Sequence, residues 1–157
     1  NKRLKRAGVT NVTRHLLAGL SDPWLGEMEA SADRVLIDTP CSGSGSWRRS
    51  PANKWKLKPQ DLKKNIEQQI KIIDAASRLV KPGGRLIYST CSVLRSENEA
   101  QIEHFLQKNR NFHILPIPQL WNSVLDVECP TADPFLNLTP ARHFTDGFFC
   151  AVLERVI

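Results

Sequence analysis

The sequence predicts an α/β fold with a mostly parallel sheet, and two similar stretches of chain carry that prediction. Each is a short aliphatic run that leads into a cysteine followed by serine, at residues 34–42 and again at residues 85–92. Short apolar runs of this kind are typical of buried strands in parallel sheets. About fifty residues separate the two cysteines, which is room for a helical crossover between parallel strands. We therefore expect Cys41 and Cys91 to meet at the carboxyl edge of one sheet.

The remaining elements follow from periodicity and from turn residues. The predicted elements are, in order, a strand at residues 11–17, a loop at 21–32, a strand at 34–37, a helix at 59–80, a strand at 85–89, a helix from 96 to about 108, a short or edge strand at 112–117, an irregular segment at 119–146 and an antiparallel closing strand at 147–155. Asp22 and Pro23 mark the first loop as a turn. Pro116 and Pro118 are the reason for expecting the strand at 112–117 to be short or at an edge.

Two helices have clear signals. Apolar residues recur at helical spacing in the first helix, at Leu62, Ile66, Ile70, Ile73 and Val80. Pro59 suits its first turn, and the segment Lys81-Pro82-Gly83-Gly84 is predicted to end it. Ser96 and Glu99 have capping-box spacing at the start of the second helix.

Composition places the chain among globular proteins of one domain. It has 157 residues, of which 41% are hydrophobic and 24% charged. No run of eighteen apolar residues occurs, and no hydrophobic region follows the basic residues at 1–6, so we expect a cytoplasmic protein with no membrane span. The four cysteines form no C-x-x-C pair, and we expect free thiols and no metal site.

The net charge of +6 favours a polyanionic partner, and part of it is concentrated in one stretch. Residues 47–64 contain seven basic residues, one acid and two tryptophans. Cations for phosphates and flat rings for bases are what an RNA-binding surface needs, and we predict Arg48, Arg49 and Lys54 as RNA contacts. A solvated basic loop with half-buried tryptophans is the alternative interpretation.

Several separated motifs resemble one enzyme family in order. They are Asp38-Thr39-Pro40-Cys41-Ser42-Gly43-Ser44-Gly45, Arg48-Arg49 with Pro51 and Trp55, Lys81-Pro82-Gly83-Gly84, Ser89-Thr90-Cys91-Ser92 with Glu97 and Asn98, and Asp146-Gly147-Phe148-Phe149. Together they resemble the bacterial Sun branch of the NOL1/NOP2/Sun RNA cytosine-5 methyltransferases. The likeness runs from about residue 1 to residue 153 and is most specific at the two cysteine motifs.

The resemblance implies a Rossmann-like methyltransferase sheet that uses S-adenosylmethionine to methylate carbon 5 of a cytosine in RNA, with ribosomal RNA as the expected partner. By position, Cys91 is the expected nucleophile and Cys41 the second thiol that assists product release. Asp38 is the expected cofactor contact near its methionine end; a helix cap or loop-closing hydrogen bond is the alternative for this carboxylate. Cys129 and Cys150 have no matching role and are interpreted as structural.

Two thiols suit this chemistry because a thiolate must add to carbon 6 and must later be expelled with the help of a base. The sequence departs from the family pattern because three expected features are not found: the glycine-rich cofactor loop after the first strand, the acid that ends the second strand, and the acid after the third strand. Residues 1–157 are therefore expected to be the C-terminal portion of a single catalytic domain. A non-catalytic RNA-binding module remains the alternative, and an amino-methyltransferase is disfavoured because residues 38–41 lack the Asn/Asp-Pro-Pro-aromatic turn.

Overall fold

In the computed structural model of the chain, which describes residues 2–156, one five-stranded sheet organises the fold. The strands are β1 (Ala32–Asp38), β2 (Val80–Thr90), β3 (Phe112–Ile114), β4 (Leu136–Leu138) and β5 (Phe148–Arg155). The helices are α1 (Lys2–Arg6), α2 (Pro23–Glu27), α3 (Ala52–Lys56), α4 (Pro59–Ser77), α5 (Glu99–Lys108), α6 (Ile117–Val124) and α7 (Pro140–His143). Short 3-10 turns occupy Ser44–Ser46 and Arg95–Glu97.

The sheet order is β1-β2-β5-β3, and β4 also pairs with β5. β1 and β2 are parallel, whereas β5 runs antiparallel to β2, β3 and β4. Four strands therefore point one way and β5 points the other. The predicted α/β fold with an antiparallel closing strand is confirmed, but the sheet is mixed, because the pairing of β1 with β2 is parallel and the three pairings made by β5 are antiparallel. β3 is short and lies at an edge, also as predicted.

The core lies where α4 and α5 pack against the central strands. Its fully buried members come from β2, α4, α5 and β5, and they include Ile73, Val80, Leu86, Tyr88, Ile102, Phe105, Phe149 and Leu153. In α4, the buried residues Gln69, Ile73, Ala76 and Ser77 fall on one helical face. Because α4 connects β1 to β2, this packing holds the two strands that end in the cysteine loops.

Several sequence expectations need correction. No strand forms at residues 11–17, where every side chain is exposed, because no described strand supplies a hydrogen-bonding partner for it. The predicted loop at 21–32 contains α2, whose first turn is capped by the Asp22 carboxylate. The strand predicted at 112–117 stops at Ile114, since Pro116 and Pro118 start α6. The segment predicted as irregular contains most of α6, together with β4 and α7.

The end of α4 also differs from expectation. The helix stops at Ser77, and the carbonyls of Arg78 and Leu79 accept hydrogen bonds from the Ala30 and Ala32 amides ahead of and within β1. Residues 81–84 lie inside β2 as an irregularity in its register with β1, with Gly83 at a φ of +74°. The capping box is likewise wrong, because Ser96 lies in a 3-10 turn and α5 begins at Glu99.

No helix among residues 2–156 combines the length and the apolar character needed to cross a membrane.

Candidate active site

The carboxyl ends of β1 and β2 lie side by side. Asp38, the last residue of β1, is in register with Ser89 of β2, and the Thr39 amide donates to the Ser89 carbonyl at 3.2 Å. The Ser89 hydroxyl donates to the Ile37 carbonyl at 3.0 Å. These bonds align the two strands up to the point where their loops begin, so that the loops start from a common edge.

The loops bring the two thiols together. The Sγ atoms of Cys41 and Cys91 are 3.4 Å apart, and both cysteines are free. Cys91 is exposed, whereas Cys41 is partly buried. The prediction that two parallel strands deliver both sulfur atoms to one edge of the sheet is confirmed, and we call these two loops (residues 39–45 and 91–94) the cysteine rim.

Burial also changes the acidity of the Cys41 thiol. Burial, the largest cause, raises the pKa of the Cys41 thiol to about 12, and the neighbouring Cys91 sulfur acts in the same direction. The Gly43 backbone N–H opposes this rise. At neutral pH the Cys41 thiol is therefore protonated and able to donate a hydrogen bond to the Cys91 sulfur.

The fully buried carboxylate of Glu97 holds the Cys41 loop in place by hydrogen bonds. The Glu97 Oε1 atom accepts from the Ser42 amide at 2.8 Å and from the Gln69 side chain at 3.2 Å, and its Oε2 atom accepts from the Ser42 hydroxyl at 2.6 Å. Gln69 also donates to the Pro40 carbonyl at 2.9 Å. We call Glu97, Ser42 and Gln69 the glutamate clasp; it fixes the residues on both sides of Cys41 to α4 and to the turn before α5.

Serine hydroxyls extend this network to the Cys91 loop. The Ser92 hydroxyl lies 3.3 Å from that of Ser42 and 3.0 Å from that of Ser44, and it accepts from the Leu94 amide at 3.0 Å. The Asn98 side chain donates to the Ser92 carbonyl at 2.9 Å and accepts from the Thr90 hydroxyl at 2.6 Å. The residues that follow the two cysteines are thus linked to each other, and the spacing of the sulfur atoms is set by buried hydrogen bonds.

Close backbone contact completes the rim. The Gly45 amide donates to the Cys91 carbonyl and the Gly147 amide donates to the Gly45 carbonyl, both at 2.9 Å. A Cβ atom at Gly45 would come within 2.2 Å of the Gly147 carbonyl oxygen. Glycine at position 45 is therefore required by space, and the turn before β5 becomes a third side of the rim.

A family model described as "16S rRNA methyltransferase RsmB/F" matches residues 1–154. The chain belongs to this family. The motif resemblance found in the sequence is thereby confirmed.

Curated and structural relatives agree with the family. The ribosomal RNA small subunit methyltransferase B of Salmonella newport is 41% identical over 152 residues, which are 97% of this chain and 32% of that protein. The crystal structure of PH0851 matches with a TM-score of 0.83 and 34% identity, covering 98% of this chain and 33% of that one. NSun6 from Pyrococcus horikoshii, crystallised with SFG, matches with a TM-score of 0.77 and 26% identity, covering 99% and 38%. This chain spans about a third of the length of the curated relatives it matches.

In this RsmB/F family member, the predicted cofactor contact Asp38 is the last residue of β1, at the carboxyl edge of the sheet. Asp38 is exposed at the end of β1, and among residues 2–156 its carboxylate makes no hydrogen bond or ion pair. An open carboxylate three residues before Cys41 fits an ammonium group, so it suits the methionine end of S-adenosylmethionine. A cavity of about 720 Å³ between residues 20–29 and α4 is lined by no residue of the cysteine rim.

The predicted RNA-binding residues are exposed but do not cover the thiols. Arg48 donates to the carbonyls of Phe144 and Thr145 at 3.2 and 3.3 Å, and Arg49 pairs with Asp146. Within residues 2–156 neither guanidinium bonds to a cysteine sulfur. Lys54 lies in α3 with its ammonium 5.7 Å from the centroid of the Trp55 ring, which is 83% exposed.

Sequence reasoning missed the glutamate clasp. Glu97 and Asn98 were recognised only as parts of a family motif, and Gln69 carries no signal because a glutamine in the middle of an amphipathic helix is ordinary. The one available hint was that Gln69 falls on the buried, apolar face of α4. Cys150 is partly buried in β5, where burial raises the pKa of its thiol to about 11; its structural role and that of Cys129 remain predictions. No group of three or more metal-ligating side chains is found in the described part of the chain.

Proposed function

We propose that this chain carries the thiol chemistry of an RNA cytosine-5 methyltransferase, with Cys91 as nucleophile and Cys41 as the thiol that assists release. The observation that carries the proposal is the pair of sulfur atoms 3.4 Å apart, one exposed and one partly buried, at the ends of adjacent parallel strands. A family of 16S rRNA methyltransferases makes ribosomal RNA the expected substrate class. The predicted location in the cytoplasm remains a prediction.

The exposed thiol suits attack on the base. The Cys91 sulfur, as thiolate, adds to carbon 6 of the cytosine, and the electrons of the carbon 5–carbon 6 double bond become available at carbon 5. S-adenosylmethionine, when bound, supplies the methyl group on a positively charged sulfur that leaves as a neutral thioether. Asp38 is positioned to accept from the ammonium group of that cofactor.

The second thiol suits the release step. After methyl transfer, a base must take the proton from carbon 5; the electrons of that bond restore the double bond and expel the Cys91 sulfur. While both thiols are free, burial and the Cys91 sulfur hold the proton on Cys41. Once the Cys91 sulfur is bonded to carbon 6, its contribution to the raised pKa is lost, while burial, the largest cause, remains. In the proposed step the Cys41 proton passes to water, and the Cys41 thiolate takes the proton from carbon 5.

The target base must leave its stack to reach the thiols. Cys91 lies in a loop at the edge of the sheet, and carbon 6 of a base within a duplex is covered by its neighbours. We therefore propose a single-stranded or loop cytosine as the substrate.

The test uses the longest natural chain that contains these residues. With a ribosomal RNA substrate and labelled S-adenosylmethionine, we expect 5-methylcytidine from the unaltered protein and none from Cys91→Ala. Cys41→Ala should instead accumulate RNA bound covalently to protein. Cys129→Ala and Cys150→Ala are the matched controls and should retain activity. Methylation by Cys91→Ala, or normal turnover by Cys41→Ala, would contradict the assignment of that residue.

A second candidate function is RNA binding without catalysis by this chain alone. It is favoured by the single cofactor contact, Asp38, that the described residues supply. Calorimetric titration of the 157-residue chain with S-adenosylmethionine separates the two. Measurable binding would disfavour the module, whereas RNA binding with no cofactor binding would support it.

A further inference from the structure

The turn before β5 contains an aromatic side chain, that of Phe144, which does not pack in the core. Phe144 follows α7 and is 86% exposed, although it is a large aromatic residue. Its backbone is left-handed, with a φ of +57° and a ψ of +16°. For a bulky residue this conformation is strained, and an exposed ring gains no packing in return.

Phe144 caps the end of α7, where its amide donates to the Pro140 carbonyl at 3.2 Å, and further contacts join this turn to the Cys41 loop and its continuation. Arg48 donates to the carbonyl of Phe144 itself, Arg49 pairs with Asp146, and the Gly147 amide donates to the Gly45 carbonyl. Three bonds from the Cys41 loop and its continuation thus hold the backbone from residue 144 to 147. The exposed Phe144 ring thus belongs to a residue three positions before Gly147, whose amide bonds to the rim.

Two arginines contact the turn that carries the ring, and both pair with its Asp146 carboxylate. The side chains of Arg48 and Arg49 are 51% and 70% exposed, and Lys54, Lys56 and the exposed Trp55 follow in α3. An apolar protein surface supplies no anionic group for these cations, whereas an RNA strand offers phosphates for the cations and a flat base for the ring. Strain without a packing gain is also the pattern of residues held ready for a ligand.

We propose that Phe144 is an RNA-stacking residue, positioned by Arg48 so that its ring contacts a base next to the cytosine at the cysteine rim. This assignment rests on the proposed function, since it requires an RNA substrate. It adds a contact outside the basic stretch at residues 47–64. An unstacked base covers the exposed ring, and the phosphates on either side of that base lie toward the arginines.

Two substitutions separate binding from folding. Phe144→Gly relieves the left-handed strain and removes the ring, so the variant should be at least as stable as the unaltered protein in urea unfolding. Its affinity for a short single-stranded RNA containing cytosine, measured by fluorescence anisotropy, should fall roughly 5- to 100-fold. Phe144→Trp should bind within about threefold of the unaltered protein, because it keeps a stacking ring. Val124→Ala, which truncates another exposed apolar side chain, is the control and should change neither quantity.

Salt dependence provides a second measurement. The ring carries no charge, so Phe144→Gly should weaken binding equally at all salt concentrations and leave the slope of log Kd against log salt unchanged. Unchanged RNA affinity in Phe144→Gly, with normal adduct formation at Cys91, would overturn the stacking role alone. Loss of stability in Phe144→Gly would overturn it too, since it would mean that the ring packs against another part of the longer chain. If the unaltered protein did not bind RNA, the proposed function would fail together with this inference.

Discussion

The inner and outer sides of the cysteine rim are built differently. On the inner side, Glu97, Gln69 and Ser92 are fully buried, and each bonds to a residue of the Cys41 loop. On the outer side, Arg48 and Phe144 are exposed and are joined to the rim by a few bonds at its surface. The inner side sets the distance between the sulfur atoms, and the outer side remains free to meet a ligand. Changes inside should therefore cost stability, and changes outside should cost binding.

The largest effect is expected where the inner side has no space. Gly45→Ala would place a Cβ atom 2.2 Å from the Gly147 carbonyl oxygen, so the Cys41 loop and the turn before β5 must separate. We expect a loss of about 3 kcal/mol in urea unfolding. Gly26→Ala is the control, since a Cβ there meets nothing within 4 Å, and its stability should be unchanged or higher. Equal unfolding midpoints for Gly45→Ala and the unaltered protein would mean that the rim is not close-packed.

The glutamate clasp should give the next largest effect. Glu97→Ala leaves the Ser42 amide, the Ser42 hydroxyl and the Gln69 amide without their acceptor, at an expected cost of about 2–3 kcal/mol. Glu97→Gln keeps one acceptor oxygen and should lose less stability. Thermal unfolding of both variants checks the order. If the two were equally stable, the carboxylate would not be holding the loop.

Cys41 is the more buried of the two thiols at the rim, and we expect it to react slowly. Because the pKa of Cys41 is raised to about 12, its thiolate is scarce at pH 8, and its rate of alkylation should keep rising beyond pH 10. In Cys91→Ala, burial still protects Cys41, so iodoacetamide should label it at least tenfold more slowly than an unperturbed thiol at pH 8. Peptide mass spectrometry gives the rate at each cysteine. A labelling rate that levels off near pH 9 would contradict the raised pKa.

The smallest effect is expected at the outer cations. Lys54→Ala should leave stability within about 0.5 kcal/mol and lower the salt slope of RNA binding by about one. Lys108→Ala, at the end of α5, is the matched control and should leave the slope unchanged. A slope that is the same for both variants would mean that Lys54 does not touch phosphate.

The same difference explains what the sequence predicted well. Cys41 and Cys91 were placed together because apolar runs ended before both of them, and hydrophobic periodicity is the strongest local signal. The apolar run at residues 148–153 likewise predicts the closing strand β5. These features depend on burial, which makes apolar residues recur at every second position of a strand and at every third or fourth position of a helix.

Other features depend on long-range contacts that produce no periodic pattern of residues in the sequence. The apolar residues at 11–17 suggested a strand, but a strand requires a partner that no described residue supplies. The role of Gln69 depends on the distant loop at Pro40, and Phe144 is joined through its carbonyl to the distant Arg48, so neither contact is visible in the local sequence. Such long-range hydrogen bonds determine the site geometry, and local sequence reasoning does not reach them.

Covalent trapping tests the central claim most directly. RNA containing 5-fluorocytosine blocks the loss of a proton from carbon 5, so an adduct formed in the presence of S-adenosylmethionine should persist and be mapped by mass spectrometry of its peptides. We predict that the modified peptide contains Cys91 and that it is absent in Cys91→Ala. An adduct on Cys41, or an adduct that persists in Cys91→Ala, would contradict this account.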